Sequence, residues 1–383
     1  MTRREFIVGA TATAAALTAV GGMTGRASAA AKGDLTFASG LRAAEAIRNK
    51  EVSSVELTDL MISRIEKHDT DINAVVVRVF DQARARAKAA DAALAKDETW
   101  GPFHGVPATM KESFDVEGEI TTVGVPDLKD NHATADAETT RRLRNAGAII
   151  LGKTNVPLML MDVQSYNSIY GTTNNPWDLT RTPGGSTGGG AASLAAGFNY
   201  LVVGSDIGGS IRTPSHFCGV YGHKPTINLV SQIGHHPPMP GEPFGSPPEL
   251  PVAGPLARSA EDLMALMKIL GGPSGYDARA YSWQLPAPRK KSLKEYKVGF
   301  MIDDSFCPVV PEQKEVLKNA IAALEKAGVT VVEGWPKGVN PVEQIKTYLF
   351  MLLATLPPLP PIAPKVYEDY AKSLGHPVPI DLP

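Results

Sequence analysis

The sequence predicts an α/β fold with a mainly parallel sheet, and three observations carry that expectation. Short apolar runs alternate with longer helical patterns, as strands separated by helices do. The chain has 383 residues, 43% hydrophobic and 20% charged, enough for a large core or two modest domains. Neither an internal repeat nor, beyond the first 31 residues, an apolar run of transmembrane length interrupts the pattern.

The elements follow in order. Ser53-Ser54-Val55-Glu56 fits a capping box, with Ser53 as cap and Glu56 reaching back. Leu57, Leu60, Met61 and Ile65 then recur at helical spacing and predict one buried face. Residues 72–80 read as a strand and 81–98 as an Ala-rich helix with a charged outer face. A helix over 137–146 leads into the apolar run 148–151, and a small-residue helix over 188–197 precedes a buried strand over 199–205. The Pro- and Gly-rich segment 227–255 reads as a long surface excursion. A helix over 260–270, a strand over 296–301, a helix over 311–327 and a strand over 328–333 complete the pattern. Closely spaced prolines in 353–365 exclude a regular helix or central strand, and 375–383 reads as loop.

A formal net charge of −2, with both signs mixed along the chain, argues against a nucleic-acid partner. The first residues resemble a twin-arginine export signal: Thr2, Arg3, Arg4, Phe6 and Ile7 match the pattern, and Ala27-Ser28-Ala29 supplies a cleavage signal. Residues 1–31 are therefore expected to be a signal peptide and 32–383 a single domain. Gly9, Gly21, Gly22 and many threonines make the stretch too weakly apolar for a stable membrane anchor. The resemblance implies passage through the twin-arginine machinery in the folded state and a periplasmic or secreted location. The two cysteines, Cys218 and Cys307, leave one disulfide and two free thiols equally open, and no cysteine cluster suggests zinc or iron–sulfur.

Chemistry enters with two glycine-rich loops, "TPGGSTGGGAAS" from Thr182 and "VGSDIGGSIRTP" from Val203, which set Ser186 and Ser210 24 positions apart. Neither is the G-x-S-x-G elbow. Gly184, Gly185, Gly188, Gly189 and Gly190 match no P-loop or dinucleotide fingerprint, and tight backbone packing is the plainer explanation. The second loop says more. Backbone N–H groups of Ile207, Gly208, Gly209 and Ser210 can converge on one point, as an oxyanion requires, beside Ser210 as nucleophile. Such a serine needs a base. His104, His132, His216, His223, His235 and His236 sit in no recognisable hydrolase setting, and the His235-His236 pair lacks metal-ligand spacing. Lys111, in "GVPATMKES" at 105–113, is the local candidate if burial leaves its amine neutral; a surface lysine is the plainer alternative.

These blocks, with "DAETTRRLRNAGAIILGKTNVP" at 136–157, "NNPWDLTRTPGGSTGGGAASLAAG" at 174–197, "GSDIGGSIRTPSHFCGVYGHKPT" at 204–226 and "GPLARSAEDL" at 254–263, closely resemble the amidase signature family of serine hydrolases. The resemblance covers the chain to about residue 300. It implies a mixed central β-sheet flanked by helices and a Ser-cisSer-Lys triad. Carried over by position, Ser210 is the nucleophile, Ser186 the bridging serine after a cis peptide bond, and Lys111 the base; the 75-residue interval from Lys111 to Ser186 fits. Gly185 and Thr187 flank the bridging serine, while Asp206 and Arg212 fix the nucleophile loop, a surface ion pair being their alternative. The implied reaction cleaves the C–N bond of a small-molecule or peptide amide through a Ser210 acyl-enzyme, with no metal or cofactor. An esterase with the same triad and a catalytically weak ligand-binding remnant are the alternatives, and the export signal argues against a tRNA-dependent amidotransferase component. Glu112 stands where aspartate is common, Thr187 replaces a second serine, and His223 is a further departure. The chain stops at Pro383 without the family's late segment, so a missing sheet edge and an incomplete pocket wall are expected.

Overall fold

Helix α1 (Gly40–Arg48) begins where the Ser39 hydroxyl accepts the Arg42 N–H, and Asp262, distant in sequence, accepts from the Gly40 and Leu41 N–H groups at 2.8 Å each. The computed structural model describes residues 34–236, 250–275 and 277–355. The expected signal peptide, the middle of the 227–255 excursion and most of the proline-rich 353–365 stretch lie outside the described residues.

In α2 (Ser54–Ile72) the capping box is present: Ser53 Oγ accepts the Glu56 N–H at 3.0 Å and Glu56 accepts the Ser53 N–H at 2.8 Å. Leu57, Met61, Ile62 and Ile65 form its buried face, but Leu60 is 37% exposed, because a residue three after Leu57 already turns to the flank of that stripe. Asn73 ends the helix in the left-handed region, so the strand expected from residue 72 starts later, as β1 (Val75–Arg78). The alanine-rich helix α3 (Phe80–Leu94) buries Ala83, Ala87, Ala90 and Ala93 and packs on α2.

The remaining elements of the first unit, which ends at Gln284, run β2 (Pro107–Lys111), α4 (Glu138–Asn145), β3 (Ile149–Thr154), a small hairpin β4 (Tyr166–Asn167) and β5 (Gly171–Thr172), α5 (Gly188–Ala195), β6 (Leu201–Asp206), α6 (Arg212–Cys218), β7 (Tyr221–Gly222), β8 (Val252–Ala257) and α7 (Ala260–Leu270). The main sheet has the order β1-β3-β2-β6-β8-β7. Only β3, β2 and β6 are mutually parallel; β1 and β8 run antiparallel to their neighbours, as does β7 to β8. The sheet is thus mixed, not mainly parallel. An apolar run reads alike in either direction, and only the connecting chain decides its sense.

The segment 227–255 departs from the surface excursion expected of it. Val230, His235 and His236 are buried, and Val252 already belongs to β8, which is buried along its length. Helix α5 lies close to the chain beyond β3: a Cβ on Gly189 would fall 2.5 Å from the Asn155 nitrogen. The decisive positional fact is that Lys111, Thr154 and Asp206 all end parallel strands, and the carboxyl ends of such strands are where open α/β sheets gather their ligands.

The second unit, Leu285–Pro383, pairs β9 (Lys297–Phe300) with β10 (Thr330–Glu333) in parallel, with α8 (Pro311–Lys326) as the connecting helix and α9 (Pro341–Thr355) after it. Cys218 is buried in the first unit and Cys307 exposed in the second, and both thiols are free.

Candidate active site

Strand β2 is buried at every position, which carries Lys111 into the interior with none of its surface exposed. Its Nζ lies 2.7 Å from Ser186 Oγ and 2.9 Å from Ser205 Oγ, donating to both. Burial disfavours the ammonium and pushes the amine down to about 7, against the opposing pull of the Asp206 charge. A lysine in this condition exchanges protons near neutrality, as a base must.

The first glycine loop delivers Ser186, 1% exposed, through a cis Gly185–Ser186 peptide bond. A Cβ on Gly185 would fall 2.7 Å from the Asp162 carbonyl oxygen, so no larger residue fits there without displacement. Thr187 donates its N–H to the Ser210 carbonyl at 3.1 Å and its hydroxyl to the Ser205 carbonyl at 3.3 Å, tying the two loops together. Its additional methyl is accommodated by glycine: a Cβ on Gly204 would meet Thr187 Cγ2 at 2.6 Å. Ser210 is 9% exposed, at the margin of the buried cluster. Among the described residues hydrogen bonds join Lys111 to Ser186, and none joins Ser186 to Ser210.

Asp206 organises the second loop. Its carboxylate accepts from the N–H groups of Gly209 (2.9 Å), Ile211 (3.0 Å) and Arg212 (3.3 Å), and from the Arg212 guanidinium at 3.1 and 2.9 Å. Burial alone would raise this carboxyl, but Arg212 and the backbone donors outweigh it and hold it below the usual aspartate range. Gly209 adopts φ +113°, a region open to glycine. Its N–H donates to Asp206 in this structure, whereas those of Ile207, Gly208 and Ser210 have no acceptor among the described residues.

Sequence reasoning missed Ser205 and gave no role to several other residues found at the site. Ser205 is the second partner of Lys111, and His235 Nε2 lies 2.9 Å from Ser205 Oγ, its ring packed at a tilt against Phe114 with centroids 4.4 Å apart. Burial, with the Lys111 and His236 charges, holds His235 well below the usual histidine range. His236 Nε2 pairs with Asp115 Oδ2 at 3.0 Å. A hydroxyl inside an otherwise apolar strand was a usable signal for Ser205, since a buried polar group demands partners. No comparable signal marked His235 in its Pro- and Gly-rich setting. Glu112, the departure beside Lys111, is fully buried and accepts from the Thr122 N–H (2.6 Å), the Thr122 hydroxyl (2.9 Å) and the Val123 N–H (2.9 Å), tying the chain after Lys111 to the turn at 121–124. His223 is exposed, and partial desolvation of its ring lowers its pKa. His104 is buried with Nε2 3.0 Å from the Ala90 carbonyl oxygen, away from Lys111 and both serines in every hydrogen bond it makes.

The amidase family model matches residues 56–356. The chain belongs to the amidase family. It is 39% identical over 290 residues to a glutamyl-tRNA(Gln) amidotransferase component of Moorella thermoacetica, covering 75% of this chain and 58% of the relative. To fatty-acid amide hydrolase 2-A of Danio rerio it is 41% identical over 248 residues, covering 63% and 46%. This amidase-family chain thus spans about half the length of the curated relatives it matches. Among solved structures, a fatty acid amide hydrolase superposes with a TM-score of 0.74 at 28% identity over 83% of this chain and 56% of that one. The peptide amidase PAM gives 0.67 at 26% identity over 78% and 62%. The mixed sheet flanked by helices is the amidase signature fold.

Proposed function

We propose that the chain hydrolyses a carboxylic amide to an acid plus ammonia or an amine. The observation that carries the reading is the buried Lys111 amine, lowered to about 7 and 2.7 Å from Ser186 Oγ. The neutral amine takes the Ser186 proton as Ser186 takes that of Ser210, and the Ser210 oxygen bonds to the amide carbonyl carbon. The N–H groups of Ile207, Gly208 and Ser210 face the negative oxygen of the tetrahedral intermediate. Collapse breaks the C–N bond, and the proton on Lys111 returns through Ser186 to the departing nitrogen. Water then opens the Ser210 ester by the same relay in reverse, restoring the free serine. Ester hydrolysis uses the same steps with an easier leaving group.

Intact-protein mass after treatment with a fluorophosphonate tests the nucleophile: one adduct is expected, absent in Ser210→Ala. A folded protein that gains no adduct overturns the assignment of Ser210. The similarity to the glutamyl-tRNA(Gln) amidotransferase supports a second reading, in which the nitrogen released at the same centre is transferred to an acceptor and not lost. Turnover of simple amides without any partner, with stoichiometric ammonia or amine in solution, separates hydrolysis from transfer.

We further propose that the chain is exported by the twin-arginine machinery to a periplasmic or secreted location, a reading supported by Arg3, Arg4 and the Ala27-Ser28-Ala29 site. Replacing Arg3 and Arg4 together by lysine is expected to hold the precursor inside the cell; unchanged fractionation would remove the proposal.

A further inference from the structure

Lys111 does not end the hydrogen-bonded chain that begins at Ser186. Its amine also reaches Ser205 Oγ at 2.9 Å, and Ser205 Oγ lies 2.9 Å from His235 Nε2, so four side chains run in series from Ser186 to His235. All four are buried, with Ser186 1%, Lys111 0%, Ser205 3% and His235 4% exposed.

A hydroxyl has one proton to give and two lone pairs to receive. Among the described residues Ser205 Oγ has two side-chain partners, the Lys111 amine and the His235 ring. Two arrangements follow. With the His235 proton on Nδ1, Nε2 accepts the Ser205 proton, and the Ser205 oxygen can only accept from Lys111. The amine then points an N–H at Ser205 and keeps its lone pair for the Ser186 proton. With the proton on Nε2 instead, Ser205 is free to donate to Lys111, and its hydroxyl competes with Ser186 for the same lone pair.

We infer that His235 is a positioning residue for the base: as an acceptor at Nε2 it fixes the Ser205 hydroxyl, so that Ser205 always accepts from Lys111 and the amine lone pair faces Ser186. The inference rests on the amide-hydrolysis reading for its catalytic meaning, and on the side-chain geometry for its structural part. The fixed acceptor favours the charged form of Lys111 and so strengthens it as a base. The charged and titratable groups facing this chain are few. Asp206, at the end of β6, acts on Lys111; Lys111 and His236 act on His235, and His236 is itself bound to Asp115.

The discriminating variant is His235→Phe, which keeps a ring against Phe114 and removes the acceptor. Two readouts are taken on folded protein, its fold checked by thermal melting: the pH profile of kcat on an amide, and the Lys111 titration followed by the NMR shift of its labelled ε-carbon. In His235→Phe the Lys111 midpoint is expected to move to lower pH by about half a unit or more, with kcat reduced by about tenfold and KM little changed, the order expected for one lost hydrogen bond to the base. His235→Gln, whose amide oxygen can take the place of Nε2, restores the midpoint. In a Ser205→Ala background His235→Phe changes neither readout further, because the effect passes through Ser205.

An unchanged Lys111 midpoint in His235→Phe overturns the inference, as does an equal shift in the Ser205→Ala background. Absence of amide turnover in the wild-type protein overturns the hydrolysis reading instead, and the NMR titration still decides the role of His235.

Discussion

Lys111 shows at the scale of one residue how burial becomes chemistry. Its folded pKa of about 7 leaves it charged on the acid side and neutral on the basic side. Under the hydrolytic reading kcat/KM therefore rises with pH through about 7 and then levels off. A rate flat between about pH 5.5 and 8.5 would remove Lys111 as the base. Asp206 is the complementary case, a buried carboxylate kept charged by Arg212 and by backbone donors. Arg212→Ala takes away two charge-assisted hydrogen bonds. Because that guanidinium is 54% exposed, solvent compensates in part, and the expected loss is about 1–3 kcal/mol in denaturant unfolding, with slower acylation of Ser210 as the loop loosens. Unchanged stability and an unchanged fluorophosphonate rate would reduce the pair to a surface contact.

At the scale of elements, the site depends on how closely backbones approach. Helix α5 follows Ser186 directly, and its glycines let it sit against the chain after β3. Gly189→Ala would drive a Cβ to 2.5 Å from the Asn155 nitrogen, a backbone atom that cannot swing aside. Thermal melting is expected to show a loss of about 1–3 kcal/mol, although alanine is the better helix former. Glu112 is one of the groups that hold the turn at 121–124. Glu112→Ala leaves the Thr122 and Val123 N–H groups without their acceptor, at a cost of about 1–3 kcal/mol readable by urea unfolding. A melt equal to wild type would show that these donors find other partners.

For the molecule as a whole, the buried site couples stability to pH. The Lys111 pKa falls from 10.5 in the open chain to about 7 when folded, so between those values the unfolded state binds more protons. Stability from this group is fully present above the unfolded value and is lost as pH falls through the folded one. Lys111→Met removes the titration but keeps an unbranched side chain. The difference in unfolding free energy between wild type and Lys111→Met is expected to shift in favour of wild type as pH rises from about 7 toward 10. A difference independent of pH would show that the lysine titrates normally in the folded protein.

Local sequence determined much of this protein. The Ser53–Glu56 box starts α2, the alanine spacing buries one side of α3, and the strand–helix alternation gives the α/β class. The two glycine loops and Lys111 were likewise legible as a group, through their resemblance to a family and not through periodicity. Each of these signals is carried by neighbours within a few residues or by a contiguous motif. The direction of β8 and β1, the burial of His235, and the attachment of Ser205 to Lys111 were decided only by tertiary structure. Strand sense depends on where a returning chain packs, and a hydrogen bond between residues 94 positions apart leaves no periodic trace in the sequence. The pKa of Lys111 belongs to the same class: the residue type supplies an amine, and only the folded chain packed around it removes the water that would keep it charged.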